Sequence, residues 1–160
     1  MLWSKLKTRL AALVAPELRE RLDLHWTTFR VHHNDHGLVC RCGQAQEFWI
    51  TIDKIKVFRA SYCKFANEQS KAGPSYRIDV DELRAREIHS PHDVWASLES
   101  YLNMPPEVAL RSTDPILRAM AMIDRRIGIR TMKQLKVTDD EHALVRLLYF
   151  LRTSAKNSRQ

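Results

Sequence analysis

Residues 32–42, HHNDHGLVCRC, bring together side chains of the types that bind transition metals. His33 and His36 supply imidazole nitrogens, and Cys40 and Cys42 supply thiols. Because residues i and i+2 of a strand point to the same face, both sulfurs could approach one ion while the histidines reach back across a turn. Zinc is the cofactor that this composition suggests, and the sequence indicates no other.

The spacing of these ligands favours a polar hairpin loop over a zinc site. Zinc ribbons separate their cysteines by two or more residues so that the backbone can fold around the ion, and only one residue separates Cys40 from Cys42. Asn34, Asp35 and Gly37 are typical turn residues. The loop is therefore the favoured interpretation, and zinc binding is a minor alternative.

A second group of residues that could do chemistry is mostly basic. Its members are Arg118, Asp124, Arg125, Arg126, Arg130 and Lys133. Cations clustered at a helix end can contact phosphates, which makes the group a candidate nucleic-acid surface. The seven-residue spacing of Arg118 and Arg125 predicts that both lie on one helix face.

The surrounding hydrophobic pattern favours a structural role for the same charges. Ala119, Ala121 and Met122 leave the predicted helix apolar on nearly every side, which is typical of a central, buried helix. Buried arginines need carboxylate partners. Residues 66–114 are acidic, whereas residues 1–65 and 115–160 are basic, so the middle of the chain could supply those partners.

The sequence gives little support to catalysis or to a membrane location. Only four glycines are present, and no phosphate-binding loop, dinucleotide fingerprint or Gly-x-Ser-x-Gly motif occurs. The apolar residues of the first helix are interrupted by Lys5, Lys7 and Arg9, so we expect an amphipathic helix rather than a signal peptide or membrane span. Three unevenly spaced cysteines do not form a disulfide framework, so we expect a reducing compartment, the cytoplasm.

Hydrophobic periodicity predicts a sheet followed by helices. Leucines at helical spacing predict a first helix over 2–14, and alternation predicts strands over 21–29, 47–52 and 55–65. Residues 66–75 are predicted to form a loop. We therefore expect an α+β domain over 1–153, in which an antiparallel sheet of three or four strands is covered by the N-terminal helix and a C-terminal helical layer. Residues 154–160 are expected to fray.

Capping residues predict where the later helices begin and end. Asp79 or Asp81 can begin one helix, and Ser90 before a proline can begin the next. A further helix is expected to begin after Asp114 and to end at Gly128. Thr138 and Glu141 have the spacing of a capping box for the last helix.

Several segments together resemble a family of small bacterial cytoplasmic proteins of unknown function. They are LWSKLK, WITID, YLN, LRSTDPILRAMAMIDRRIGIRTM and LVRLLYFLR, which span residues 2–152. The most specific segment is AMAMIDRRIGIR. The resemblance implies no established activity, and HGLVCRCGQAQEF departs from the family pattern, so a metal site there is not implied by it.

These observations together predict a non-enzymatic cytoplasmic interaction protein whose partner is another protein. A nucleic-acid-binding protein that uses the basic N- and C-terminal segments is the alternative. Binding to generic DNA or RNA that weakens steeply with salt would distinguish the alternative from the first prediction.

Zinc content tests the interpretation of residues 32–42. We expect elemental analysis of purified protein that was never exposed to chelators to give well below one zinc per chain, because the cysteine spacing is too tight for a zinc knuckle. One tightly bound zinc per chain would instead support the metal site.

Overall fold

The structure, a computed structural model, describes residues 2–30, 44–71 and 78–154. In these ranges the chain forms three strands, eight α-helices and a 3-10 turn, Pro16–Leu18. The strands are β1 (Leu22–Arg30), β2 (Gln44–Ile52) and β3 (Ile55–Ser61). The helices are α1 (Trp3–Leu13), α2 (Tyr62–Lys71), α3 (Val80–Ala85), α4 (Pro91–Tyr101), α5 (Pro106–Leu110), α6 (Pro115–Ile123), α7 (Ile129–Gln134) and α8 (Ala143–Ser154). The predicted α+β class is confirmed.

The three strands form an antiparallel sheet in the order β1-β2-β3. Phe48 of β2 lies opposite Trp26 of β1 and Ala60 of β3, so these side chains share the face that meets the core. Asp53 and Lys54 connect β2 to β3 with φ values of 50° and 69°. Two residues with positive φ are typical of the primed turns that match the twist of a hairpin. The predicted turn position is confirmed.

The N-terminal helix packs on the core-facing side of this sheet. Leu6 and Leu10 of α1 are fully buried. The ring of Trp3 lies 6.1 Å from that of Trp26 on β1 and 6.0 Å from that of Trp95 on α4. The aromatic side chains thus join the sheet, α1 and α4 in one hydrophobic core.

Helix α6 is the centre of the helical layer. Six of its nine residues are buried, and it packs against α4, α5 and α8. Asp114 begins the helix by accepting a hydrogen bond from the backbone N–H of Ile116 at 2.8 Å. The expectation of a central helix that is apolar nearly all round is therefore confirmed.

Two predicted boundaries in the last third of the chain are wrong. Helix α6 ends at Ile123 rather than at Gly128, because Asp124 is extended (φ −73°, ψ 127°) and pairs with Val14. Arg125 is consequently not on the helix face of Arg118. Helix α8 begins at Ala143, after the predicted capping box, and its N-terminal N–H groups are bound by other side chains.

The predicted third strand is too long, and the predicted loop after it is partly helical. Tyr62–Lys71 forms α2, because the Ser61 hydroxyl accepts a hydrogen bond from the backbone N–H of Lys64 at 3.5 Å and so begins a helix. Cys63 therefore lies on a helix rather than on a strand.

Some predictions fall outside the described residues. The proposed zinc ligands His33, His36, Cys40 and Cys42 lie between 31 and 43, and most of the expected frayed tail lies beyond Ser154. Within the three described ranges, every helix is too short or too polar to cross a bilayer.

Candidate functional site

Asp124 is a buried carboxylate with several hydrogen-bond donors around it. Its side chain is 0% exposed. The Tyr101 hydroxyl donates to Oδ2 at 2.5 Å, and the Arg126 guanidinium donates to the same oxygen through Nη2 at 2.6 Å. The backbone N–H of Arg126 donates to Oδ1 at 2.8 Å. Burying a carboxylate is tolerated when its oxygens are satisfied in this way.

The same carboxylate lies where the ends of two helices meet. The backbone N–H of Ala15, just after α1, donates to the carbonyl of Ile123 at 2.8 Å. The backbone N–H of Arg125 donates in return to the carbonyl of Leu13, also at 2.8 Å. The Asp-Arg-Arg segment therefore fastens the end of α1 to the end of α6, and Tyr101 adds the end of α4.

Electrostatics keep the donors around Asp124 protonated. Burial and the hydrogen bond to Asp124 raise the pKa of Tyr101. The hydrogen bond to Asp124 raises the pKa of Arg126. At neutral pH, Tyr101 is a hydroxyl donor and Arg126 is a cation. The hydrogen bonds of both side chains to Asp124 therefore hold α4, the end of α6 and the segment before α7 together.

The structure separates the basic residues that the sequence grouped. The Arg118 guanidinium pairs with Glu141 at 2.6 Å, and Arg126 pairs with Asp124. Neither carboxylate belongs to the acidic segment 66–114, so the predicted source of partners is wrong for these two arginines. The other three cations are exposed and cluster around α7; they are Arg125, Arg130 and Lys133.

A cleft of about 640 Å³ lies between α3, the start of α6 and the start of α8. We call it the acidic cleft, because carboxylates dominate its charged lining. They are Asp81, Glu87, Asp114, Asp139, Asp140 and Glu141, and the two arginines in the lining are Arg84 and Arg146. The cleft therefore attracts cationic groups and repels anions.

Helix starts position two of the carboxylates. The Glu87 side chain accepts a hydrogen bond from the backbone N–H of Ala143, at the start of α8, at 3.3 Å. Asp114 accepts the Ser97 hydroxyl at 2.5 Å while it caps α6. Carboxylates near helix N-termini are stabilised by the helix dipole. The wall of the acidic cleft is therefore fixed by the packing of α4, α6 and α8.

Two histidines that were not predicted as site residues lie at the edge of this cleft. The Nε2 atoms of His89 and His142 are 3.0 Å apart, and His142 accepts the backbone N–H of Leu144 through Nδ1 at 3.1 Å. The position of His142 just before a predicted helix could have indicated that its ring binds a backbone N–H of that helix. Its contact with His89 joins residues 53 positions apart in the chain, which no local pattern reveals.

The described part of the chain contains no cluster of three or more His, Cys, Asp or Glu side chains arranged to hold a metal ion. The two histidines bond to each other, and the cleft carboxylates point to separate partners. The chemistry that the cleft carboxylates favour is electrostatic attraction of positively charged groups.

Asp124→Ala tests the structural role of the buried carboxylate. We expect the free energy of unfolding to fall by about 3 kcal/mol, because the Tyr101 hydroxyl loses its acceptor inside the core and Arg126 loses its partner. Arg125→Ala is the matched control. Its side chain is exposed, and we expect a change within about 0.5 kcal/mol. Urea unfolding measures both, and similar losses in the two variants would contradict the assigned role.

Comparison with known proteins gives one family. No curated protein and no solved structure matches the chain. The model of the SF0329 protein family matches residues 2–153, almost the range over which the sequence showed its resemblance. That range includes the Asp-Arg-Arg segment and every side chain of the acidic cleft. The chain therefore belongs to the SF0329 protein family.

Proposed function

We propose that this chain is a non-enzymatic interaction protein of the bacterial cytoplasm, and that its acidic cleft binds a basic segment of another protein. The observation that supports the proposal is the lining of the cleft, where six carboxylates, one of them (Glu141) paired with Arg118 outside the lining, outnumber two arginines on a chain whose formal net charge is +7. The positive net charge of the whole protein would repel a cationic segment. The acidic side chains concentrated in this concave surface let the cleft attract such a segment instead.

The arginines of the cleft leave much of its negative charge available. Arg84 pairs with Asp81 at 3.0 Å, and Arg146 lies 3.7 Å from Asp139. Both contacts are at least partly exposed, so an incoming lysine or arginine can replace them at little cost. Asp139 and Asp140 are themselves exposed at the rim, where they can steer a cationic segment toward the cleft.

The nucleic-acid alternative is supported by a different surface. Arg125, Arg130 and Lys133 are exposed, and in the described ranges no ion pair involves any of them. Unpaired cations on and beside a short helix can contact phosphates. This second candidate predicts binding at α7, away from the acidic cleft.

A charge-reversal pair tests the first proposal. We expect a short fluorescent peptide of alternating lysine and glycine to bind the wild-type protein, and a glutamate-glycine peptide not to bind. Asp139→Lys with Asp140→Lys should weaken binding about tenfold or more, since two attractive contacts at the rim become repulsive. Fluorescence anisotropy measures the affinity.

Glu20→Lys with Glu107→Lys is the matched control, because it changes the net charge equally at exposed sites outside the cleft lining. It should leave the affinity nearly unchanged. Equal losses in the two double variants would show that only net charge matters, and failure of the wild-type protein to bind the basic peptide would remove the proposal.

Salt dependence tests the second candidate. If α7 contacts phosphates, affinity for generic duplex DNA should fall steeply as salt rises. Arg130→Ala with Lys133→Ala should then reduce the slope of log affinity against log salt by about two, one for each lost contact. Absence of measurable binding at low salt would eliminate this candidate.

A further inference from the structure

His89 and His142 join two segments that also line the acidic cleft. His89 follows Glu87 after the end of α3, and His142 immediately precedes α8. Their Nε2 atoms are 3.0 Å apart, and His89 is only 4% exposed. The contact therefore holds the start of α8 against the segment after α3, at the edge of the cleft.

The hydrogen bonds assign a proton position to each ring. Since Nδ1 of His142 accepts the N–H of Leu144, the neutral His142 ring carries its proton on Nε2 and donates it to His89. Nε2 of His89 is then an acceptor, so the neutral His89 ring carries its proton on Nδ1. Neither ring can take up another proton without breaking one of these two bonds.

We infer that the two histidines form a proton-sensitive latch, which keeps the acidic cleft in its binding shape when neutral and releases the start of α8 when protonated. A proton on Nδ1 of His142 would face the N–H of Leu144. A proton on Nε2 of His89 would face the ring Nε2–H of His142. The effect of the latch on ligand binding rests on the proposed function of the cleft, whereas the release of α8 does not.

The surroundings favour the neutral pair in the closed latch. The charged groups that face it are Lys64 from α2, Arg84 from α3, Glu87 after α3, Asp114 at the start of α6 and Glu141 before α8. The Phe58 ring of β3 lies 5.1 Å from the His89 ring and adds an apolar contact. Burial of the ring lowers the pKa of His142 and outweighs the three carboxylates, which raise it, so the pKa of His142 is lowered overall.

The direction of the pH effect follows from these contacts. Burial, and next the neighbouring His142 ring, lower the pKa of His89 from 6.5 to about 4, and burial lowers the pKa of His142. In an open or unfolded chain the two histidines have their usual pKa, so they bind protons at pH values at which the buried pair stays neutral. The latch therefore contributes its full stability above about pH 6.5 and loses it as the pH falls from about 6.5 toward 4.

NMR of the full chain tests the latch without any ligand. Imidazole nitrogen shifts should show the Nε2–H tautomer for His142 and the Nδ1–H tautomer for His89 at neutral pH. Between about pH 7 and pH 5, the protection of the Leu144 amide from hydrogen exchange, corrected for the intrinsic rate, should fall about tenfold more than that of Leu148 in the same helix.

Two variants keep the test sharp. His142→Asn retains an oxygen that can accept the Leu144 N–H and cannot be protonated, so the fall in Leu144 protection should largely disappear. His92→Asn, at an exposed histidine of α4, should leave the fall unchanged. Reversed tautomers, a His142 ring that titrates near 6.5, or Leu144 protection that is flat in the wild-type protein would each overturn the latch.

Binding of the lysine-glycine peptide separates the latch from the function of the cleft. Affinity that falls between about pH 7 and pH 5 in the wild-type protein, and much less in His142→Asn, supports the latch as a regulator of the cleft. Unchanged affinity while Leu144 loses protection overturns the regulatory role. No peptide binding at any pH, with Leu144 still losing protection, overturns the proposed function and leaves the latch standing.

Discussion

The fold depends on one carboxylate placed where water cannot reach it. Asp124 ends α6, and it is tolerated in the core because Tyr101, Arg126 and the backbone supply donors to both its oxygens. Those donors come from α4 and from the segment before α7, while the neighbouring backbone pairs with the end of α1. The buried Asp124 side chain and its neighbours thus hold four segments together, namely the ends of α1, α4 and α6 and the segment before α7. This contact fixes where the helical layer meets the rest of the core.

This arrangement also determines which charges remain available for binding. Arg126 forms an ion pair with Asp124, and Arg118 forms an ion pair with Glu141. The cations left exposed around α7 and the carboxylates of the acidic cleft are then two surfaces of opposite sign on one small protein. The cleft is concave, and a concave surface buries more of a ligand than separate exposed side chains do, which supports the proposal that a cationic segment binds in the cleft.

Local patterns predicted the elements of the fold and missed contacts between distant residues. Helix α1 and the strands follow hydrophobic periodicity, which acts within a few residues. The end of α6 at Asp124 could not be predicted, because its carboxylate is satisfied by Tyr101, 23 residues away in the chain. Ser61 is a residue type that can begin a helix, but the β-branched and aromatic residues around it favoured the prediction of a longer strand. The acidic cleft and the pairing of His89 with His142 depend wholly on how α3, α6 and α8 pack.

The most direct measurement of the central claim is a map of backbone amide shifts during titration with the lysine-glycine peptide. Binding in the acidic cleft predicts the largest shifts at Glu87, Asp140 and Arg146, which come from two sides of the cleft, and little change on α7. Shifts spread evenly over the surface, or concentrated on the exposed face of the sheet, would contradict the assignment of the cleft as the binding site.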